Sequence, residues 1–168
     1  MARYRASLVA PGPVDEVFDY LADFANAAKW DPGIVRARKT TRGPVRVGTA
    51  FEIVSAFFGR EVPLRYEVTA LEPGRLVVFE GEGASVRSVD TLTFAAAPGG
   101  GTKLTYDAVL TGKGVLRVFD PALQLAFWWL GRQALAGLAR ALAKPPRTRR
   151  AARGGTAARR RGRRARAA

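Results

Sequence analysis

Apolar and polar residues alternate along most of the chain between Arg3 and Leu110, which is the pattern of β-strands that bury one face. Arg3–Ala10 is predicted to form the first strand. Turn residues, mostly glycine and proline, recur at short intervals and predict consecutive antiparallel hairpins. They delimit six further strands at Ile34–Thr41, Thr49–Phe58, Val62–Leu71, Leu76–Glu82, Arg87–Ala96 and Lys103–Leu110.

Helical spacing replaces the alternation in two parts of the chain. Between the first two strands, Pro13–Phe24 and Ala25–Lys29 predict two short helical segments. Near the end, Asp120–Ala143 predicts one long helix, because an Asp N-cap is followed by Pro121 at the first helical position. The prolines Pro145–Pro146 end this helix.

The long helix is apolar on two sides. At about 100° per residue, one broad face collects most of its apolar side chains. Leu125 and Trp129 lie on the opposite side, among Arg132 and Arg140. Large apolar groups on a polar face are typical of a contact surface, and a homodimer formed through Leu125 and Trp129 is one hypothesis. A partner protein, a membrane interface, or cover by neighbouring loops are the alternatives. The broad face contains Leu123, Ala126, Phe127, Leu130, Ala134, Gly137, Leu138 and Ala141.

These elements predict an α+β fold. A seven-stranded antiparallel sheet with one apolar face must bury that face against another element. Among the predicted elements, only the long C-terminal helix is large enough to cover it. We therefore expect a curved sheet around this helix, with two short helices between strands one and two. A curved sheet around a helix leaves space between them, and that space is a natural ligand cavity.

The composition excludes several kinds of chemistry. The chain of 168 residues has no cysteine and no histidine. Disulfides, thiol nucleophiles, catalytic triads that need an imidazole base, and metal sites built on His or Cys are therefore excluded. We expect no cofactor and no metal. The first residues lack the continuous apolar core of a signal peptide, so we expect a cytoplasmic protein.

The net charge of +14 is concentrated at the C-terminus. All 14 acidic residues lie at or before Asp120, whereas Lys144–Ala168 holds eleven basic residues. We predict a folded domain over residues 1–144. Residues 145–168 have no acidic, aromatic or large apolar side chain, and we predict a disordered tail. Its arginines suit contact with polyanions, either nucleic acid or anionic lipid, and the alternative is a solubilising extension without a partner.

The segment PGPVDEVFDYLADFANAAKWDPGI resembles the opening of the START-like (SRPBCC) superfamily, which includes Bet v 1-type and polyketide cyclase/dehydrase-like proteins. The stretches GGGTKLTYDAVLTG and LGRQALAGLARAL are also similar to that group, so the resemblance spans about residues 2–143. It implies the helix-grip fold and a cavity for lipids, quinones, hormones or polyketides, whereas only some members are enzymes. The residues that carry the opening motif are Pro13, Val17, Phe18, Leu21, Trp30 and Pro32.

Strand parity and the helix face predict the inner wall of the cavity. Asp90 is a carboxylate in phase with apolar neighbours on its strand. In a functional role it would bind a ligand or act as an acid/base group. The alternative is that it lies at the open end of the strand and meets water or an arginine. Tyr66 and Tyr106 either orient a ligand or are core aromatics. The parity of the third strand is ambiguous, because both of its faces are apolar. The candidate ligand-binding residues are Phe51, Ile53, Leu64, Tyr66, Asp90, Leu92, Phe94, Tyr106, Phe127 and Leu130.

Three functions fit this sequence. The first is binding, with or without transport, of a hydrophobic small molecule such as a lipid, quinone or polyketide. The second is a polyketide cyclase/aromatase-type enzyme that uses Asp90 with Tyr66 or Tyr106. It ranks lower because the sequence alone offers no His, no Cys and no clear acid–base pair. The third is an adaptor whose basic tail contacts nucleic acid or an anionic membrane.

Overall fold

The computed structural model describes residues 1–57, 59–114 and 120–143. The predicted third strand reaches Phe58, which lies outside the described residues. The predicted boundary at residue 144 and the predicted basic tail also lie outside them.

One curved antiparallel sheet forms the body of the protein, with the strand order β1-β7-β6-β5-β4-β3-β2. β1 and β2 are its two edges, and β2 to β7 follow one another as hairpins. β1 closes the order by pairing with β7. The predicted α+β class and the seven-stranded sheet are confirmed. The strands are β1 (Ala2–Ala10), β2 (Ile34–Lys39), β3 (Ala50–Phe57), β4 (Arg60–Glu72), β5 (Leu76–Glu82), β6 (Val86–Ala96) and β7 (Thr102–Gly112).

The helices are α1 (Val14–Ala22), a 3-10 helix at Phe24–Lys29, a single 3-10 turn at Pro98–Gly100 and the long α2 (Asp120–Leu142). The first predicted helix was expected to reach Phe24, but it ends at Ala22. At Asp23 the backbone is extended, and the carboxylate accepts a hydrogen bond from the backbone N–H of Ala25 (3.3 Å). Among the described residues, no helix combines the length and apolar character needed to cross a bilayer.

Aromatic side chains fill one end of the concave face of the sheet. Phe18 of α1 contacts Phe94 of β6 edge to face, with ring centroids 5.1 Å apart. Phe24 of the 3-10 helix stacks on Phe79 of β5 at 4.4 Å and meets Phe51 of β3 at 6.2 Å. The two short helices therefore close this end with solid core, and α2 covers the remainder.

Two glycines let α2 approach its neighbours closely. A Cβ at Gly131 would lie 2.4 Å from the ring of Tyr4 on β1. A Cβ at Gly137 would lie 1.9 Å from the carbonyl oxygen of Trp30, directly after the 3-10 helix. Real side chains do not tolerate such distances, so both positions require glycine. The helix is thereby held against the first strand and against the short helices.

A side chain of α2 also covers the open edge of β1. The Gln124 amide accepts a hydrogen bond from the backbone N–H of Arg3 and donates one to its carbonyl oxygen, each at 2.9 Å. An unpaired strand edge exposes backbone groups that invite pairing with other chains. Gln124 satisfies one residue of that edge and fixes the position of α2 along it.

Replacing Gly137 by alanine tests the seating of α2. Alanine normally stabilises a helix relative to glycine, but here its methyl group would meet the Trp30 carbonyl oxygen. We expect Gly137→Ala to lower the free energy of unfolding by about 1–3 kcal/mol, measured by urea denaturation. The control is Ala136→Gly on the exposed side, which should cost only about 0.5–1 kcal/mol. A more stable Gly137→Ala variant would contradict this close approach.

Candidate functional site

A cavity of about 150 Å³ lies between α2 and the concave face of the sheet. Every strand except β5 contributes to its walls, together with α2, Phe24 of the 3-10 helix and the turn before β2. On β4, β6 and β7 the lining residues are every second one, as strand geometry requires. Its walls are mainly apolar and include Leu64, Val86, Leu110, Phe127 and Leu130.

The polar part of the cavity is centred on Asp90, which is only 3% exposed. The Tyr106 hydroxyl donates a hydrogen bond to Asp90 Oδ1 (2.6 Å), and the Ser88 hydroxyl donates one to Oδ2 (2.9 Å). Tyr66, on β4, adds a further polar interaction with both Asp90 and Ser88. Three hydroxyl groups from three strands therefore surround one buried carboxylate.

Burial governs the protonation of this cluster. It raises the pKa of Asp90, whereas the hydrogen bonds from Tyr106, Ser88 and Tyr66 act in the opposite direction. Burial also raises the pKa of both tyrosine hydroxyls well above their usual range, and the nearby charge of Asp90 adds to this effect. Both phenols are thus protonated at neutral pH and act as hydrogen-bond donors.

A second carboxyl group, that of Asp31, lines the same cavity. Burial raises its pKa from 3.8 to about 6; a hydrogen bond from the Gly33 N–H (2.8 Å) opposes this shift, and the charge of Asp90 reinforces it. No lysine or arginine is found among the described residues that line the cavity. Two acidic groups therefore share a pocket without a cationic side chain to neutralise them.

The structure brings only part of the predicted site together. Leu64, Tyr66, Asp90, Tyr106, Phe127 and Leu130 line the cavity. The predicted alternative, in which Asp90 lies at the open end of its strand and meets water or an arginine, is wrong, because Asp90 lies within β6, is buried and accepts hydrogen bonds from Tyr106 and Ser88.

Four predicted residues do not line the cavity and lie instead in solid core: Phe51, Ile53, Leu92 and Phe94. All four are buried, as the predicted parity requires for Leu92 and Phe94; for Phe51 and Ile53 the structure resolves a parity that the sequence left ambiguous. Their position along the strands is what differs. Phe18 packs on Phe94 and Phe24 packs on Phe51, so the short helices occupy the space that a ligand would need.

Asp31 and Ser88 are polar residues of the cavity that were not among the predicted site residues, and Asp31 is the second acidic group. Asp31 follows Trp30 in an Asp-Pro-Gly turn, and such turns are common wherever the chain reverses. Its carboxylate does bind the backbone N–H two residues later, as a turn residue would. The sequence feature that could have indicated Asp31 is its position between the 3-10 helix and β2, which both lie next to the inner face of the sheet.

Comparison with known proteins agrees with this fold. The family described as polyketide cyclase/dehydrase and lipid transport matches residues 1–143. No curated protein sequence matches the chain. The family match confirms the predicted resemblance to the START-like superfamily.

Three solved structures illustrate the likeness in fold. The protein TTHA0849 from Thermus thermophilus has a TM-score of 0.70 and 17% identity, covering 83% of this chain and 96% of that one. A START superfamily protein from Mycobacterium smegmatis has a TM-score of 0.70 and 11% identity, covering 84% and 97%. The Zhui aromatase/cyclase from Streptomyces sp. R1128 has a TM-score of 0.62 and 14% identity, covering 84% and 90%.

The raised pKa of Asp31 makes stability depend on pH. The folded protein holds this proton more tightly than the unfolded chain, so stability is highest below pH 3.8 for this group and falls as pH rises to about 6. Asn at position 31 keeps the acceptor for the Gly33 N–H but carries no proton that titrates. We expect Asp31→Asn to flatten part of that fall, measured as the urea-unfolding free energy across this pH window.

The control for this measurement is Asp19→Asn, which removes one exposed carboxylate from α1. Asp90 has a raised pKa as well, so some of the pH dependence should persist in the Asp31 variant. Identical pH profiles for wild type and Asp31→Asn would show that Asp31 does not titrate in the cavity.

Proposed function

The chain belongs to the polyketide cyclase/dehydrase and lipid transport family, and from that premise we propose that its cavity binds a hydrophobic small molecule such as a lipid, a quinone or a polyketide. The observation that carries this proposal is an apolar cavity that ends on a buried carboxylate ringed by hydroxyl groups. Sites of this kind bind the apolar body of a ligand on their walls and orient it with a few polar groups.

The polar groups favour a ligand that donates hydrogen bonds. Asp90 accepts hydrogen bonds from Tyr106 and Ser88, and a carboxylate has further lone pairs free to accept. The Tyr106 hydroxyl oxygen can likewise accept a hydrogen bond from a ligand while its own hydrogen is donated to Asp90. An anionic ligand would meet two acidic side chains without a cation, so a hydroxyl group suits this pocket better than a carboxylate.

Catalysis of the polyketide cyclase/aromatase type is the second candidate, and the presence of both Asp31 and Asp90 in the cavity favours it. In such a reaction the Asp90 carboxylate would accept a proton from a carbon next to a ketone. That carbon would form a bond to a second ketone carbon, whose oxygen would take a proton from protonated Asp31. A tyrosine in the latter role is less favourable, because its raised pKa opposes formation of a phenolate.

Filling the cavity tests the binding proposal. Ala134 lines it from α2, whereas Ala136 lies on the exposed side of the same helix. We expect wild-type protein purified from its native host to carry a ligand detectable by native mass spectrometry. Ala134→Leu should lose that ligand, because the added atoms occupy its volume, and Ala136→Leu should keep it. Equal ligand occupancy in both variants would place the ligand outside the cavity.

Replacing Asp90 by Asn separates binding from catalysis. If the cavity only binds, Asp90→Asn should weaken the retained ligand about tenfold or more, because a hydrogen bond to a charged group is lost. If the protein is a cyclase, turnover of a linear polyketide should disappear while substrate affinity changes little. Measuring Kd and turnover on the same preparations decides between the two, and unchanged values for both would remove Asp90 from the site.

A further inference from the structure

The outer face of α2 carries the main cluster of exposed large apolar side chains in the described chain. Leu125 is 70% exposed, Trp129 60% and Trp128 47%. These three residues, with Arg132 beside them, are called the outer face below. The opposite side of the helix is buried against the sheet through Ala134 and Leu138. An exposed group of two tryptophans and a leucine is typical of a surface that contacts something else.

Among the described side chains of α2, the charged ones are both basic. The Arg132 guanidinium lies 4.8 Å from the centre of the Trp128 ring, and Arg140 is exposed further along the helix. The sequence has no acidic residue after Asp120, and Lys144–Ala168 adds eleven basic residues directly beyond α2. A partner that fits this surface must therefore offer both an apolar phase and negative charge.

An anionic lipid bilayer offers both. Tryptophan side chains partition into the boundary between acyl chains and headgroups, and arginine can keep its charge among the headgroups. A shallow apolar contact alone gives weak binding, and a basic segment next to it supplies the second signal needed for stable attachment. The outer face and Lys144–Ala168 provide these two signals next to each other in the chain.

Two other occupants fit less well. A second copy of the chain packed on this surface would bring its own Arg132 and Arg140 close to those of the first, and like charges oppose that contact. Nucleic acid would suit the arginines, but duplex nucleic acid has a phosphate surface that leaves Leu125 and Trp129 without an apolar partner.

We propose that the outer face of α2, together with the basic segment Lys144–Ala168, docks this protein on anionic lipid bilayers. In this arrangement Leu125, Trp128 and Trp129 enter the interfacial region, and the arginines contact the headgroups. Phe127 and Leu130, on the other side of the same helix, line the cavity. Docking therefore places the wall of the cavity next to the membrane surface, which would shorten the path of an apolar ligand between the two.

Vesicle co-sedimentation of the full chain tests this proposal. The probes are vesicles of phosphatidylcholine alone and of phosphatidylcholine mixed with phosphatidylserine. Wild type should bind the mixed vesicles strongly and the neutral ones weakly. The double variant Trp128→Gln/Trp129→Gln should lose about tenfold in partitioning to the mixed vesicles, because the apolar contact is removed. The matched control Val9→Gln/Val47→Gln, which removes two exposed valines elsewhere, should bind like wild type.

A charge variant tests the second signal. Replacing the six arginines from Arg159 to Arg166 by glutamine keeps the chain length and should weaken the preference for anionic vesicles. Each variant is first compared with wild type by its Tm and its ligand occupancy, so that vesicle binding is judged on folded protein with an intact cavity. A failure of ligand binding in the cavity would leave the membrane result unaffected.

Several outcomes would overturn the proposal. If the tryptophan variant bound the mixed vesicles as tightly as the wild type, the outer face would not insert into the bilayer. A change from dimer to monomer in that variant, measured by light scattering and without any effect on vesicles, would identify a second copy as the occupant. Tighter binding of duplex DNA than of mixed vesicles, unaffected by the tryptophan substitutions, would assign the basic segment to nucleic acid.

Discussion

The contact between α2 and the concave face of the sheet is the constraint on which the rest of this structure depends. An open antiparallel sheet with one apolar face is unstable until that face is covered. The short helices cover one end with aromatic rings, and α2 covers the remainder. Gly131 and Gly137 bring the helix backbone close to Tyr4 and to the Trp30 carbonyl. The cavity is the space that this uneven coverage leaves.

The buried carboxylate of Asp90 shows how the cavity combines stability with the capacity to bind. A buried charge is costly unless it is paired or hydrogen-bonded. Here the partners are the hydroxyls of Tyr106, Ser88 and Tyr66 rather than an arginine or lysine. A salt bridge would have occupied the carboxylate with a side chain of fixed charge. Hydroxyl partners lower the cost of burial and still leave acceptor capacity for a ligand.

The two sides of α2 differ in their surroundings. Ala134 and Leu138 are buried and hold the helix on the sheet, so the stability of the fold depends on them. Leu125 and Trp129 are exposed and bury little area within the chain, so the fold does not account for their apolar character. A helix that lines a cavity on one side and meets a bilayer on the other would connect ligand binding with the source of the ligand.

The sequence by itself determined the order of the strands and helices, and the side of most strands that faces inward, because periodicity and turn residues act over a few neighbouring positions. The third strand, apolar on both faces, was the exception. Parity placed Tyr66, Asp90 and Tyr106 on the inner face, and all three line the cavity. Only the tertiary structure decided that Phe94 is core rather than cavity wall, since Phe18 from a distant helix fills the space beside it. It also placed Asp31 in the same cavity as Asp90, which no local sequence pattern encodes. A cavity is the volume that several segments, far apart in sequence, leave unfilled when they pack together.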